Sequence, residues 1–210
     1  PEASPAWLRP LVENATEIRG AYRNRVPRSV LAAITAASAA AALTGDKRDA
    51  AVLVLFSGSP DGGADGTPPA DADLLVTVRA GTLRHHAGQA AFPGGASDPG
   101  DAGPIATALR EATEETGLDP GRLNPLATLD KMFIPPSGFH VVPALAYSAD
   151  PGPVEVVDPA TSAASLARRQ PGSRRQGVAM LVVIVFLVLR RMSLVGDALS
   201  HAIMPEIGRA

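Results

Sequence analysis

The apolar positions along this chain recur with two different periods, and the change of period marks out its elements. Residues 50–56 form a compact apolar run of strand length. Residues 74–79 predict a second strand and residues 89–92 a short third one. Residues 126–132 and 140–147 read as further strands around the turn Pro135-Pro136-Ser137-Gly138, and residues 154–157 as one more. Between these, Ile105, Ala108, Leu109, Ala112 and Thr116 follow the i, i+3, i+4, i+7 rhythm of a buried helical stripe. The spacing predicts a helix over 104–116, with Pro104 in its first turn and Gly117 as its stop. The alanine-rich stretch 29–43 follows Pro27, opens on a capping serine and predicts another helix. Residues 7–23 predict a short helix, with Trp7, Leu8 and Leu11 as docking residues. The Gly-, Pro- and Asp-rich stretch 58–73 reads as a mobile loop. No internal repeat is visible. Strands and helices mix without regular alternation, which favours an α+β sandwich over a doubly wound sheet.

The other face of the 104–116 helix carries the chemistry. Arg110-Glu111-Ala112-Thr113-Glu114-Glu115-Thr116-Gly117-Leu118 spaces three carboxylates by three and four residues. At roughly 100° per residue, Glu111, Glu114 and Glu115 fall within one arc of about 100°. Like charges crowded in this way need positive charge among them. Hard divalent cations take carboxylate oxygens, so magnesium or manganese is one candidate. A solvated acidic face paired with Arg110 or a distant base is the other, and a lone run of this kind favours it.

The residues upstream change that balance. Phe92-Pro93-Gly94-Gly95, then Asp98 and Asp101, lead into the helix. Together with 110–118 they resemble the Nudix box, the metal-binding loop-helix-loop of the Nudix hydrolases. The loop between Gly95 and Arg110 is one residue longer than the usual box, and no glutamate stands in it. A similar longer loop, with Asp in those places, belongs to the coenzyme A pyrophosphatase branch. A second motif resembles the same branch: the strand with Thr77 and Arg79, then Leu83-Arg84-His85-His86-Ala87-Gly88-Gln89, running into Phe92-Pro93-Gly94-Gly95. His85 lies outside the matched positions. The resemblance spans roughly residues 5–160.

That resemblance implies a Nudix-type α/β/α sandwich with a mixed sheet. It implies Glu114 and Glu115 as the main ligands of Mg2+ or Mn2+, Glu111 as a further ligand or the base for water, and the Gly95 carbonyl in the shell. Arg110 would hold the helix carboxylates in place. Arg79, Arg84, His86 and Gln89 would meet the substrate, since a guanidinium fork matches phosphate oxygens. Without the signature, Arg84, His85 and His86 read as an exposed basic turn. The implied reaction is hydrolysis of the diphosphate of coenzyme A or acyl-coenzyme A to phosphopantetheine, free or acylated, and 3′,5′-ADP. The alternatives are another nucleoside diphosphate derivative, or a non-catalytic, membrane-associated remnant. A homodimer is within the family's habits. His140 reads as structural, and no Ser-His-Asp arrangement emerges.

Composition permits this and narrows little else. The 210 residues are 46% hydrophobic, enough for a core, though aromatics are few at 4%. The abundance of Ala, Gly and Pro fits a high-GC bacterial genome. A net charge of −2 gives no electrostatic argument for nucleic acid, and none is expected as a partner. Without cysteine, disulfides and thiolate metal sites are excluded, and the redox compartment stays open. No signal-peptide pattern appears at this N-terminus, and the expected location is cytoplasmic, with membrane association through the C-terminal apolar run as the alternative.

The organisation expected is a helical extension over 1–48, a Nudix domain over 49–160 and an atypical tail over 161–210, in place of the fold's usual C-terminal elements. That tail has a basic, turn-rich start at 168–175 and an unbroken apolar run at 178–189. As a helix the run would rise about 18 Å, short of the roughly 30 Å of bilayer hydrocarbon. A buried strand or helix accounts for it at least as well, and membrane contact through it is not favoured. Residues 187–202, with Arg190-Arg191-Met192 and Gly196-Asp197-Ala198-Leu199-Ser200-His201, also resemble an early stretch of bacterial metal-ion ABC permeases. Pro205-Glu206 departs from that pattern. The junction reads as a frameshifted, fused or misassembled frame.

Overall fold

The computed structural model describes residues 4–13, 15, 28–43, 48–61, 68–79, 90–134, 138–155, 157 and 162–168. Its centre is β1 (Arg48–Ser57), the apolar run read above, extended slightly at both ends. From Ala50 to Ser57 every residue is buried. Alternate side chains go to opposite faces, so a continuous apolar run means that both faces of the strand are covered. Ala50, Val52, Val54 and Phe56 join one core cluster, while Ala51, Leu53 and Leu55 join another.

On one edge, β1 pairs in parallel along its whole length with β7 (Phe139–Ser148). The outer edge of β7 is covered antiparallel by β5 (Asn124–Thr128) and β6 (Met132–Ile134). The single strand expected over 126–132 is therefore two. An irregularity between Pro125 and Ala127 shifts the register, and the backbone leaves the ladder between the two strands. There Leu129 is buried, with its N–H bonded to the Pro143 carbonyl at 2.8 Å.

The other edge of β1 is divided. β2 (Asp73–Arg79) pairs antiparallel with it only at Phe56↔Leu74 and Ser57↔Asp73, and then diverges. The segment after it fills the gap: β3 (Ala90–Ala91) pairs with β2, and β4 (Gly94–Ala96) pairs with β1. Between them the Pro93 carbonyl accepts from Leu53 N–H at 2.8 Å, so the divided edge keeps its hydrogen bonds. The far edge of β2 pairs antiparallel with β8 (Ser162–Arg168) along its length, so strand pairing reaches past residue 160 into the stretch read as tail. Among the described residues the result is one mixed eight-stranded sheet, the α+β architecture expected.

One face of the sheet receives the N-terminal segment. A 3-10 turn (Ala6–Leu8) runs into α1 (Arg9–Glu13), which is the described part of the helix expected over 7–23. Trp7 and Leu8 are buried, and Leu11 packs beside them. Trp7 meets Phe56 and Tyr147 edge-on at 6.0 and 6.3 Å, and its Nε1–H donates to the Ser59 carbonyl. α2 (Arg28–Leu43) forms as expected but is largely exposed, with Ile34 turned to the core. On the opposite face lies α3 (Pro104–Thr116), with Ala108 and Ala112 fully buried. Ala51, Ala144 and Ala146 share their cluster, so small side chains on helix and sheet let the two backbones approach closely.

The strand expected over 154–157 is absent at Val154–Glu155, which are not in a strand. The Glu155 N–H instead donates to the Thr116 carbonyl at 3.0 Å, so this segment satisfies the end of α3 rather than a ladder. The 178–189 run lies outside the described residues. Among those described, no helix is long and apolar enough to cross a membrane.

Candidate active site

α3 is held at both ends and buried on one side, which fixes the direction of its polar face. Pro104 opens it, and Gly117 closes it in the left-handed region (φ 69°) with its N–H on the Thr113 carbonyl. Ile105, Ala108, Leu109 and Ala112 join the core on this side of the sheet, and Thr116 is fully buried with its hydroxyl on the Ala112 carbonyl. The remaining arc presents Arg110, Glu111, Glu114 and Glu115 toward the loop that follows β4.

Arg110 is the hub of this corner. Its Nε donates to Asp101 Oδ1 and its Nη2 to Asp101 Oδ2, both at 3.1 Å, a two-pronged pair. Nη2 also donates to the Ala96 carbonyl at 2.9 Å. Nη1 donates to Glu111 Oε1 at 3.0 Å and to Glu114 Oε2 at 3.2 Å. Asp98 stands further off, at 3.7 Å from Nη2. Asp101 is fixed in turn, because its Oδ2 accepts from the Asp98 N–H at 2.9 Å and the Thr107 hydroxyl at 2.8 Å. The Arg110 hydrogen bonds, followed by the Asp98 N–H, hold the Asp101 carboxyl well below the usual carboxylate range. Hydrogen bonding to Asp101, then to Glu111, pushes the Arg110 guanidinium above its ordinary value against the pull of burial.

Two glycines set how closely the carboxylates approach the sheet. A Cβ on Gly95 would fall on the Glu111 carboxylate, with Oε1 only 2.6 Å away. A Cβ on Gly94 would strike the β1 backbone, with Val52 Cα at 2.6 Å. The Gly94 N–H donates to Glu115 Oε2 at 3.3 Å. Glu111 and Glu115 thus lie against adjacent residues of the same Gly-Gly pair, whereas Glu114 is the most exposed of the three.

Donor chemistry here suits a hard divalent cation: the carboxylate oxygens of Glu111 and Glu115 lie on one helical face against the Gly94–Gly95 backbone. Among the described residues, no three His, Asp or Glu side chains surround a common point. Arg110 Nη1 engages two of the carboxylates in this arrangement.

Of the residues singled out from sequence, the fold brings together Gly95, Arg110, Glu111, Glu114 and Glu115. Arg79 lies at the end of β2, paired through its backbone with Ser162. Arg84, His86 and Gln89 lie outside the described residues. His140 packs its ring on Phe133 at 4.8 Å and faces the Ser38 hydroxyl at 3.4 Å, away from this corner. Thr107 stands three, four and seven residues before Arg110, Glu111 and Glu114, the spacing of the polar face, but a threonine there carries no signal of its own; its part depends on Asp101 folding back onto it. Asp101 was legible only as part of a motif; its pairing with Arg110 depends on how the loop folds back. A separate cleft of about 520 Å³ lies at the C-terminal ends of β1 and β7, lined by Ser57, Gly58, Asp71, Asp73, Asp150 and Gly152 among others. Its acidic lining is unsuited to a phosphorylated ligand.

A wedge strand leading through a Gly-Gly pair and an acidic loop into a carboxylate-bearing helix, on a mixed sheet covered on both faces, defines a class of fold and site together. The chain belongs to the Nudix family: residues 42–163 match the NUDIX domain model. Its relatives include a protein of Cronobacter sakazakii described as an uncharacterized Nudix hydrolase NudL, 44% identical over 104 residues, which are 48% of this chain and 46% of that protein. The protein of the same name from Yersinia pestis (strain Pestoides F) is 50% identical over 70 residues, 33% of this chain and 35% of that one. The chain spans about half the length, or less, of these curated relatives. Among solved structures, a Nudix hydrolase from M. smegmatis, RenU, aligns with 28% identity over 56% of this chain and 70% of that one, at a TM-score of 0.40. Residues 173–210 match a different model, the ABC 3 transport family.

Proposed function

We propose that this chain is a divalent-metal-dependent diphosphate hydrolase acting on coenzyme A or its acyl derivatives. Water attacks one phosphorus of the diphosphate, and the bridging P–O bond breaks. The products are phosphopantetheine, free or acylated, and 3′,5′-ADP. One observation carries the reading: Glu111 and Glu115 meet the Gly94–Gly95 backbone at one corner, while Arg110 gathers Glu111 and Glu114 there.

Glu111, Glu114, Glu115 and the Gly95 carbonyl would hold Mg2+ or Mn2+. Such an ion, when bound, offsets diphosphate charge and activates water. The chain's own residues do the rest. Glu111 accepts a proton from water when it is not a ligand. Arg110 keeps the helix carboxylates in register. Gly94 and Gly95 leave room for them beside the backbone. Arg79, Arg84, His86 and Gln89 bind the phosphates, a role supported by the Leu83–Gln89 motif that precedes the Gly-Gly pair in this sequence. The NudL relatives support the family but not this substrate. The site of action in this reading is the cytoplasm, and recovery only in a membrane pellet would overturn that.

The test is magnesium-dependent hydrolysis by the full chain, with coenzyme A compared against nucleotide sugars and dinucleotides. Preference for coenzyme A is the expected result, and equal or better turnover of another diphosphate would replace the substrate. Glu115→Gln should lower turnover at least about 10²-fold. Unchanged turnover would remove Glu115 from the site.

A further inference from the structure

We propose that Lys131 and Phe133 form the subsite for the 3′-phosphoadenosine half of the substrate, with Lys131 on the 3′-phosphate and the Phe133 ring against the base. The inference rests on the coenzyme A reading above. It starts from a row of residues that crosses the sheet beside the Gly-Gly corner. Gly95 pairs with Ala51. Two residues back along β1, about 7 Å away, the Asp49 carbonyl accepts from the Ser97 N–H at 2.9 Å. Across the next two strands the register sets His140 beside Asp49 and Phe133 beside His140. Alternation along the strands puts these side chains on the face that α3 covers further on. Ala51 and Ala144, two residues past Asp49 and four past His140, belong to the core cluster under that helix.

The row ends in a ring with a cation at its side. Phe133 is partly exposed on β6, and His140 braces it with ring centroids 4.8 Å apart. A ring already held in this way loses little freedom when a base stacks on it. Lys131 stands two residues before Phe133, and its Nζ donates to Asp49 Oδ1 at 3.0 Å, which draws the ammonium to the same row. The Lys131 side chain is 40% exposed. Among the described residues this is one hydrogen bond of the three that an ammonium can donate. A cation and an aromatic ring side by side match a purine nucleoside that carries a phosphate on its ribose. The scissile diphosphate stays at the Gly-Gly corner, with the residues proposed for it above. A plain surface ion pair would leave Lys131 indifferent to the substrate, whereas this role ties it to one phosphate.

Hydrolysis of coenzyme A and of dephospho-coenzyme A, which lacks only the 3′-phosphate, reads the two residues separately in the full chain. Lys131→Met should raise KM for coenzyme A about tenfold, with kcat and the dephospho substrate unchanged. Phe133→Leu keeps an apolar side chain but removes the ring. It should raise KM for both substrates about tenfold, and Phe133→Trp should not. Calorimetric titration with 3′,5′-ADP and with 5′-AMP repeats the comparison without turnover, and Lys131→Met should weaken only the first. Should Phe133→Leu fail to fold, Lys131→Met decides the matter by itself, since its side chain is half-exposed. An equal loss on both substrates in Lys131→Met, or an unchanged KM in either folded variant, would overturn the proposal. A wild-type chain that turns over another diphosphate but not coenzyme A sinks the substrate reading itself, a result distinct from either.

Discussion

Two adjacent glycines do different work in this site, and single substitutions separate them. At Gly94 an added Cβ meets the backbone of β1, which can yield only by moving apart from β4. Gly94→Ala should therefore destabilise the fold by about 2–3 kcal/mol, read by chemical denaturation. At Gly95 the Cβ meets the far end of a flexible side chain, Glu111. Gly95→Ala should leave stability within about 1 kcal/mol while displacing that carboxylate and weakening Mn2+ binding several-fold. Equal effects from both changes would contradict the geometry. Asp101 makes a second prediction at this scale. Its carboxyl titrates well below the ordinary range in the folded chain, mainly through Arg110. A depressed folded value stabilises the protein above the unfolded pKa of about 4, and that contribution fades as the pH falls further. The Tm gap between wild type and Asp101→Asn should be full near pH 6 and shrink below about pH 4.

At the scale of elements, α3 is amphipathic in a way that serves the fold and the site at once. Its alanines lie close to the sheet while its glutamates face the Gly-Gly segment. The strand pair β3 and β4 brings that segment in, by entering where β1 and β2 part. The N-terminal segment plays a different part. Trp7 seals the opposite face against Phe56 and Tyr147 and ties down the Ser59 carbonyl. Trp7→Ala removes a large buried ring and should cost about 3–5 kcal/mol, measured by thermal or denaturant unfolding. A loss under about 1 kcal/mol would mean that the segment is not docked as described.

For the molecule as a whole, the sheet has been extended beyond the boundary drawn from sequence. β8 covers the free edge of β2 from Asp73 to Arg79. An uncovered edge strand exposes a row of unpaired backbone groups and invites association. A chain ending at residue 160 should unfold earlier than one ending at residue 168, or aggregate where the longer one does not. Light scattering with thermal melts distinguishes them. Binding of Mn2+ to the folded state alone should also raise the Tm of the full chain with ion concentration, and a chelator should reverse it.

Sequence alone determined the components of this protein. The apolar run at the centre of β1, the alanine stripe of α3 and the Arg110–Glu115 cluster were all visible, because burial and helical period leave a local trace. The carboxylates were legible for the same reason: spacing on one helix is enough to put them on one face. The split of one predicted strand into β5 and β6, the failure of Val154–Glu155 to form a strand, and the pairing of Asp101 with Arg110 were not legible. Each depends on which distant backbone or side chain is nearest: a partner on β7, the end of α3, or the guanidinium above the loop. Only the tertiary structure decides such contacts, because hydrogen bonds between residues far apart in the chain are set by where the sheet and helix dock, not by local pattern.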